Sequence, residues 1–111
     1  MQEVWKNIDG FDGKYQISTW GNVRNRSGKI LKPYKNKKGY LKVGLFSDGV
    51  VHKYRINRLV ATAFIPNPFK LPQVNHKDGN KQNNSITNLE WVTDAMNKEH
   101  AMKLRRGEYV L

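Results

Sequence analysis

Val74-Asn75-His76-Lys77-Asp78-Gly79-Asn80-Lys81, then Asn83-Asn84, then Asn88-Leu89-Glu90-Trp91-Val92-Thr93, is the stretch on which the fold turns. Gln73 to His76 can begin a strand, and Leu89 to Thr93 alternates like a second one. Between them, Lys77 to Asn88 is dominated by Asp, Gly, Asn, Lys and Ser, the composition of a long polar loop. From Asp94 to about Leu104 there is neither proline nor glycine, and Ala95, Met96, Ala101, Met102 and Leu104 predict a helix capped by Thr93 or Asp94. The order is strand, loop, strand, helix.

Working towards the N-terminus, Leu59, Val60, Ala63 and Phe64 fall at helical spacing within Arg58 to Ile65, and Pro66 stops the run. Pro66-Asn67-Pro68 and Leu71-Pro72 force an extended connector, because each proline disfavours helix in the residue before it. Residues 3 to about 56 read as a β meander punctuated by Asp9-Gly10, Asp12-Gly13, Gly21-Asn22, Ser27-Gly28, Lys38-Gly39 and Asp48-Gly49. Tyr40 to Phe46 and Val50 to Ile56 form a hairpin around Asp48-Gly49, with the turn type left open. No repeat or low-complexity tract is evident. The expected class is α+β: N-terminal β meander and hairpins over residues 1–56, then a ββα unit over 57–111, packed as one compact domain.

A chain of 111 residues is too short for two comfortable cores, so one domain is expected. Lys and Arg number 20 against nine Asp and Glu, and a formal charge of +11 on so small a chain exceeds what solubility needs and points to a polyanion. The basic residues are dispersed and make no amphipathic membrane-surface helix, which favours nucleic acid over lipid. The absence of cysteine removes disulfides, thiolate zinc sites and cysteine nucleophiles. No apolar run reaches the roughly 18 residues of a membrane span and no signal-peptide core is seen, so a soluble cytoplasmic protein is expected.

Cleaving a phosphodiester requires a base for the attacking water, a cation for the charge that builds on phosphate and departing oxygen, and a scaffold for both. His76 titrates near neutral pH. Asn75 beside it and Asn97 in the first turn of the last helix each offer a side-chain oxygen to a hard cation.

The quoted motif, together with Asn97, resembles the HNH homing endonucleases of phages and introns. Arg58-Leu59-Val60-Ala61 with Phe64-Ile65-Pro66-Asn67-Pro68 is similar to the helix and connector that precede the motif in that family. Glu3-Val4-Trp5-Lys6, Ile8, Gly10, Tyr15-Gln16-Ile17-Ser18 and Gly21-Asn22-Val23-Arg24 resemble the nuclease-associated DNA-binding module often found ahead of it, so the likeness runs from about residue 3 to 100. It implies a ββα-metal (His-Me finger) fold, one divalent ion, Mg²⁺ or Mn²⁺, and hydrolysis of double-stranded DNA to a 5′ phosphate and a 3′ hydroxyl. By position it makes His76 the general base, Asn75 and Asn97 the metal ligands, and Asn88 the middle asparagine, which would shape the loop and orient His76 by hydrogen bonding. It also implies a phage or mobile-element origin in a bacterial host.

Two positions depart from the family. Members often carry Asp where Asn75 stands, and a neutral amide removes formal charge from the ion's surroundings. Many have His where Asn57 stands, a position read here as structural. Of the remaining histidines, His52 reads as a solvent- or phosphate-facing strand residue, and His100 as sharing a helix face with Asn97. Asp78-Gly79 reads as a turn, and Trp5 and Trp91 as core, Trp20 being open between core and base stacking. Phosphate contacts are expected from Arg24, Arg26, Lys35, Lys37, Lys38, Lys77, Lys81, Lys98 and Arg105, with Lys29, Lys32, Lys103 and Arg106 nearby. A monomer would nick, and cutting both strands would take a homodimer or a second binding event. The competing readings are a DNA-binding protein of the same fold with a degenerate site, and a basic RNA-binding protein.

Overall fold

The computed structural model describes residues 2–105 and 107. Strands β1 (Trp5–Asn7), β2 (Tyr15–Ser18) and β3 (Val23–Asn25) form one antiparallel sheet in that order. β4 (Tyr34–Lys35), β5 (Leu41–Ser47) and β6 (Val50–Arg55) form a second, so the meander is divided between two sheets. Alternation along β5 turns Val43 and Leu45 into the core and leaves Phe46 exposed. Ser47 pairs with Val50 across a two-residue turn in which Asp48 and Gly49 have φ of +52° and +77°, the signature of a type I′ hairpin whose twist matches the strands.

Helix α1 (Ile56–Phe64) starts directly from β6, and Pro66 follows its end. Its inner face, Ile56, Val60 and Ala61, is the centre of a core that takes Ile8, Phe11, Ile17 and Val23 from the first sheet and the turn beside it, Val43 and Leu45 from the second, and Val74 and Leu89 from the C-terminal hairpin. Asn57 is buried on the same face, its Oδ1 accepting the Arg58 N–H at 2.9 Å, as suits a structural position.

After the extended connector, β7 (Gln73–His76) pairs antiparallel with β8 (Leu89–Val92), placing His76 opposite Leu89 and Asn75 opposite Glu90. The intervening loop contains one 3₁₀ turn, Ile86–Asn88. Helix α2 (Asp94–Arg105) follows, and Thr93 is its cap: Thr93 Oγ1 accepts the Met96 N–H at 3.1 Å. No residue of α2 is buried, and its described packing is against β7 and the adjoining turn, where Leu104 Cδ1 comes so close to Gly79 that a Cβ there would lie 2.7 Å away. Among the described residues no helix is long and apolar enough to cross a membrane.

The tryptophans expected in the core sit at its edge. Trp5 is half-buried beneath the Arg24 guanidinium, 4.0 Å from the ring centre, and half-buried Trp91 donates its indole N–H to the Ile65 carbonyl at 3.0 Å. A ring with a polar group is cheaper to place where that group finds a partner than in the dry interior. The core should be sensitive to truncation. Leu45→Ala, at a fully buried position, is expected to cost about 2–5 kcal/mol of unfolding free energy, whereas Val50→Ala on the exposed strand should stay within about 0.5 kcal/mol; urea melts of the two variants check this.

Candidate active site

His76 ends β7 and Asn75 precedes it, both buried, while Asn97 lies in the first turn of α2. All three line a cleft of about 260 Å³ together with Tyr40, Lys81, Lys98 and His100. The hairpin and the helix are thus brought against one another around these side chains.

His76 is held by Asn84. Its Nε2 lies 2.8 Å from Asn84 Oδ1. A carbonyl oxygen can only accept, so Nε2 carries the proton and Nδ1 keeps a lone pair. No side-chain nitrogen or oxygen among the described residues is both sealed from solvent and unpartnered, and Nδ1 has no hydrogen-bond partner among them, so it opens onto the cleft. Burial lowers the His76 pKa from the ordinary imidazole value and outweighs the Asn84 hydrogen bond and the Asp78 charge, which raise it; the nearby Lys81 charge lowers it further. The ring is therefore neutral near physiological pH, the form able to take a proton.

Asn75 donates its amide N–H to Glu90 Oε1 across the hairpin at 3.0 Å, which fixes the amide plane and leaves Oδ1 without a described protein partner at the cleft. The Asn97 amide likewise has no side-chain hydrogen bond among the described residues. Two open amide oxygens are hard donors that suit Mg²⁺ or Mn²⁺ better than a soft metal, and no group of three or more His, Cys, Asp or Glu disposed to hold an ion occurs among the described residues. Such a donor set is incomplete alone and would be completed by phosphate oxygens and water. His100 Nε2 donates to the Lys77 carbonyl at 3.0 Å, fastening α2 to the loop.

The expected hydrogen bond from Asn88 to His76 is not made. Asn88 Oδ1 instead accepts the Asp78 N–H at 3.0 Å, and its Nδ2 reaches Asp78 Oδ1 and the Asn83 carbonyl, each at 2.9 Å. The Asn88 side chain faces the loop, and the residue that reaches the imidazole is Asn84. Asp78 is engaged in the same loop: burial acts to raise its pKa but is outweighed by hydrogen bonds from Asn83, Asn80 and Asn88, so it stays charged. The Asp78-Gly79 turn is as expected, with the Gly79 N–H bonded to the His76 carbonyl at 2.9 Å.

Residues 54–99 match the family described as HNH endonuclease, and residues 3–46 match the NUMOD4 motif. DNA endonuclease I-HmuI of Bacillus phage SP01 is 46% identical over 99 residues, 88% of this chain and 57% of that protein. The chain carries an HNH endonuclease unit. An uncharacterised HNH endonuclease of Acanthamoeba polyphaga mimivirus is also 46% identical, over 92% of this chain and 31% of its own length. The solved structure "DNA binding and cleavage by the HNH homing endonuclease I-HmuI" superposes with a TM-score of 0.81 at 43% identity, covering 97% of this chain and 62% of that one. The HNH chain thus spans little more than half of the phage relative and under a third of the viral one. The likeness of fold identifies β7, β8 and α2 as the ββα-metal unit, behind N-terminal antiparallel sheets.

Of the cations nominated in the HNH sequence, Lys81 and Lys98 line the cleft. Lys81 Nζ lies 4.8 Å from the Tyr40 ring centre and donates to the Lys38 carbonyl at 2.7 Å, and Tyr40 is also stacked under Arg55 at 4.2 Å. Lys77 sits on the loop beside His76, Lys35, Lys37 and Lys38 lie around β4 and the turn after it, and Arg105 is exposed at the end of α2. Arg24 and Arg26 are partly engaged within the N-terminal sheet, the first with Gln16 and Trp5, the second with the Asp12 carbonyl. Arg106 lies outside the described residues. Sequence reasoning missed Asn84, Glu90 and Tyr40, and it missed a larger cleft of about 600 Å³ bounded by both N-terminal sheets and α1, lined in part by Lys6, Lys42, Lys53, Arg55 and Arg58. No histidine lines that cleft, whereas His76 and His100 line the smaller one. An NMR titration of the metal-free protein should give His76 a midpoint below the ordinary imidazole value, because burial disfavours the cation.

Proposed function

We propose that this protein is a divalent-metal-dependent endonuclease that hydrolyses phosphodiester bonds in double-stranded DNA, with His76 as general base. The observation that carries the reading is the unpartnered His76 Nδ1 on the same cleft as the open oxygens of Asn75 and Asn97. Nδ1 takes a proton from water as that oxygen attacks phosphorus. Asn84 keeps the other ring nitrogen protonated, so the lone pair faces the water. Cleavage between phosphorus and the sugar oxygen leaves a 5′ phosphate and a 3′ hydroxyl. HNH endonucleases generally require a divalent ion. Asn75 and Asn97 would hold it, and when bound it supplies positive charge against the phosphate and the departing oxygen.

Residues 57–111 are proposed as the cutting unit and residues 1–56 as the part that grips duplex backbone, with Lys35, Lys37 and Lys38 leading towards Lys81 and Lys98 at the cleft, Lys77 on the loop beside His76 and Arg105 at the end of α2. Asn88 acts at one remove, closing the loop between base and strand. The phage relative supports a phage-encoded protein; with it we propose work in the cytoplasm of a bacterial host, nicking as a monomer or cutting both strands as a homodimer. One observation favours a second reading, a binding protein that no longer cuts: both oxygen donors are neutral amides, and the carboxylate beside them, Glu90, is tied to Asn75.

A plasmid-nicking assay separates the two. The wild type is expected to nick with Mg²⁺ or Mn²⁺ and not with EDTA, and His76→Ala should lose about 10²–10⁴ in rate while still binding DNA. DNA binding without metal-dependent nicking in the wild type would leave only the second reading. Asn75→Asp should preserve or raise activity at low Mg²⁺ by returning a charge to the site. The base must be neutral to act and burial lowers its pKa, so the acid limb of the rate profile should fall below the ordinary imidazole range.

A further inference from the structure

We propose that Asn84 is a positioning residue for His76 and that the Thr19–Gly21 turn of the N-terminal sheet holds it in place. The inference rests on the reading of His76 as general base and assigns to the N-terminal module a part in the active site beyond gripping DNA.

An unconstrained neutral imidazole exchanges its proton between two nitrogens, and only one arrangement leaves the lone pair on the nitrogen that faces the cleft. The 2.8 Å bond from Nε2 to Asn84 Oδ1, between two buried side chains, selects that arrangement. Asn84, however, sits in the polar loop outside any strand or helix, and its position needs support from elsewhere.

That support comes from more than sixty positions earlier in the chain. The Thr19 carbonyl accepts the Ile86 N–H at 2.8 Å, two residues past Asn84. Gly21 lies directly against Asn84: a Cβ built there would be 2.9 Å from Asn84 Cβ and 3.0 Å from its carbonyl oxygen, closer than side chains tolerate. The turn itself is braced, because the fully buried Ser18 hydroxyl accepts the N–H groups of Trp20 and Asn22 at 3.2 and 3.1 Å, and the Ser18 carbonyl accepts the Gly21 N–H at 3.0 Å. A rigid turn with no side chain at its tip is thereby pressed onto the residue that orients the base. Gly21 also has φ of +84°, so a substitution there is strained as well as crowded. Gly10, with φ of +88° and nothing within 4 Å of the place a methyl group would take, shares the strain without the crowding and supplies the control.

The test is the ¹⁵N signature of the His76 ring in metal-free protein, at a pH where the ring is neutral, beside steady-state nicking. Wild type and Asn84→Asp, which keeps an acceptor, are expected to show Nε2 protonated. Asn84→Ala and Gly21→Ala should move the ring towards a mixture of tautomers and lower kcat by about tenfold to a hundredfold, with KM for DNA unchanged. Gly10→Ala should leave both unchanged, and thermal melts confirm that each variant folds. A folded Gly21→Ala or Asn84→Ala protein that keeps the wild-type signature overturns the proposal, as does a Gly10→Ala variant that disturbs it equally. Should the wild type not nick at all, a tautomer shift confined to the Asn84 and Gly21 variants still supports the positioning role while the nuclease reading fails.

Discussion

The closure of one polar loop is the constraint on which the site depends. Residues 77 to 88 have few apolar side chains to bury, so they are ordered by hydrogen bonds, and Asn88 supplies three of them, to the Asp78 N–H, the Asp78 carboxylate and the Asn83 carbonyl. A single amide has the donors and the acceptor for this task, which a carboxylate or a hydroxyl lacks. Because His76 lies at one end of the loop and Asn84 near the other, closing it is what brings imidazole and amide within 2.8 Å. Unmade bonds here would leave buried polar groups without partners, which costs more than the bonds contribute when made.

The electrostatics of the cleft follow from the same burial. In water an imidazole is divided between charged and neutral forms near physiological pH; in the wall of this cleft the cation is disfavoured, and Lys81 adds to that effect. A strongly basic chain can therefore keep a proton acceptor in its midst. The cations that attract a polyanion and the neutral ring that would act on it are compatible because the positive charge itself helps hold the ring neutral.

The two halves of the chain share one core, with α1 packed between the N-terminal sheets and the C-terminal hairpin. The contacts of Thr19 and Gly21 with the loop are a local instance of that sharing. Helix α2, by contrast, buries no residue and is held by its cap, its contact with the Gly79 turn and the His100 bond to Lys77. The oxygen of Asn97 thus comes from the lightly attached side of the cleft and the imidazole from the firmly packed one.

Much of this was legible in the residues alone. Strand, loop, strand and helix between Gln73 and Arg105, the helix before Pro66 and the turn at Asp48-Gly49 are local matters, since periodicity, proline geometry and a two-residue Asp-Gly turn act over a few positions. The likeness of the motif brought His76, Asn75 and Asn97 together as candidates, and the structure gathers them on one cleft. Which asparagine bonds the imidazole was not legible. Asn83, Asn84 and Asn88 offer the same chemistry within six positions, and only the path of the closed loop, pressed from outside by Gly21, decides that Asn84 points at the ring and Asn88 away from it. Local sequence determined the elements and the kinds of groups present; the assignment of partners awaited tertiary packing, because a hydrogen bond is set by distance and direction in space, which spacing along a flexible polar loop does not specify.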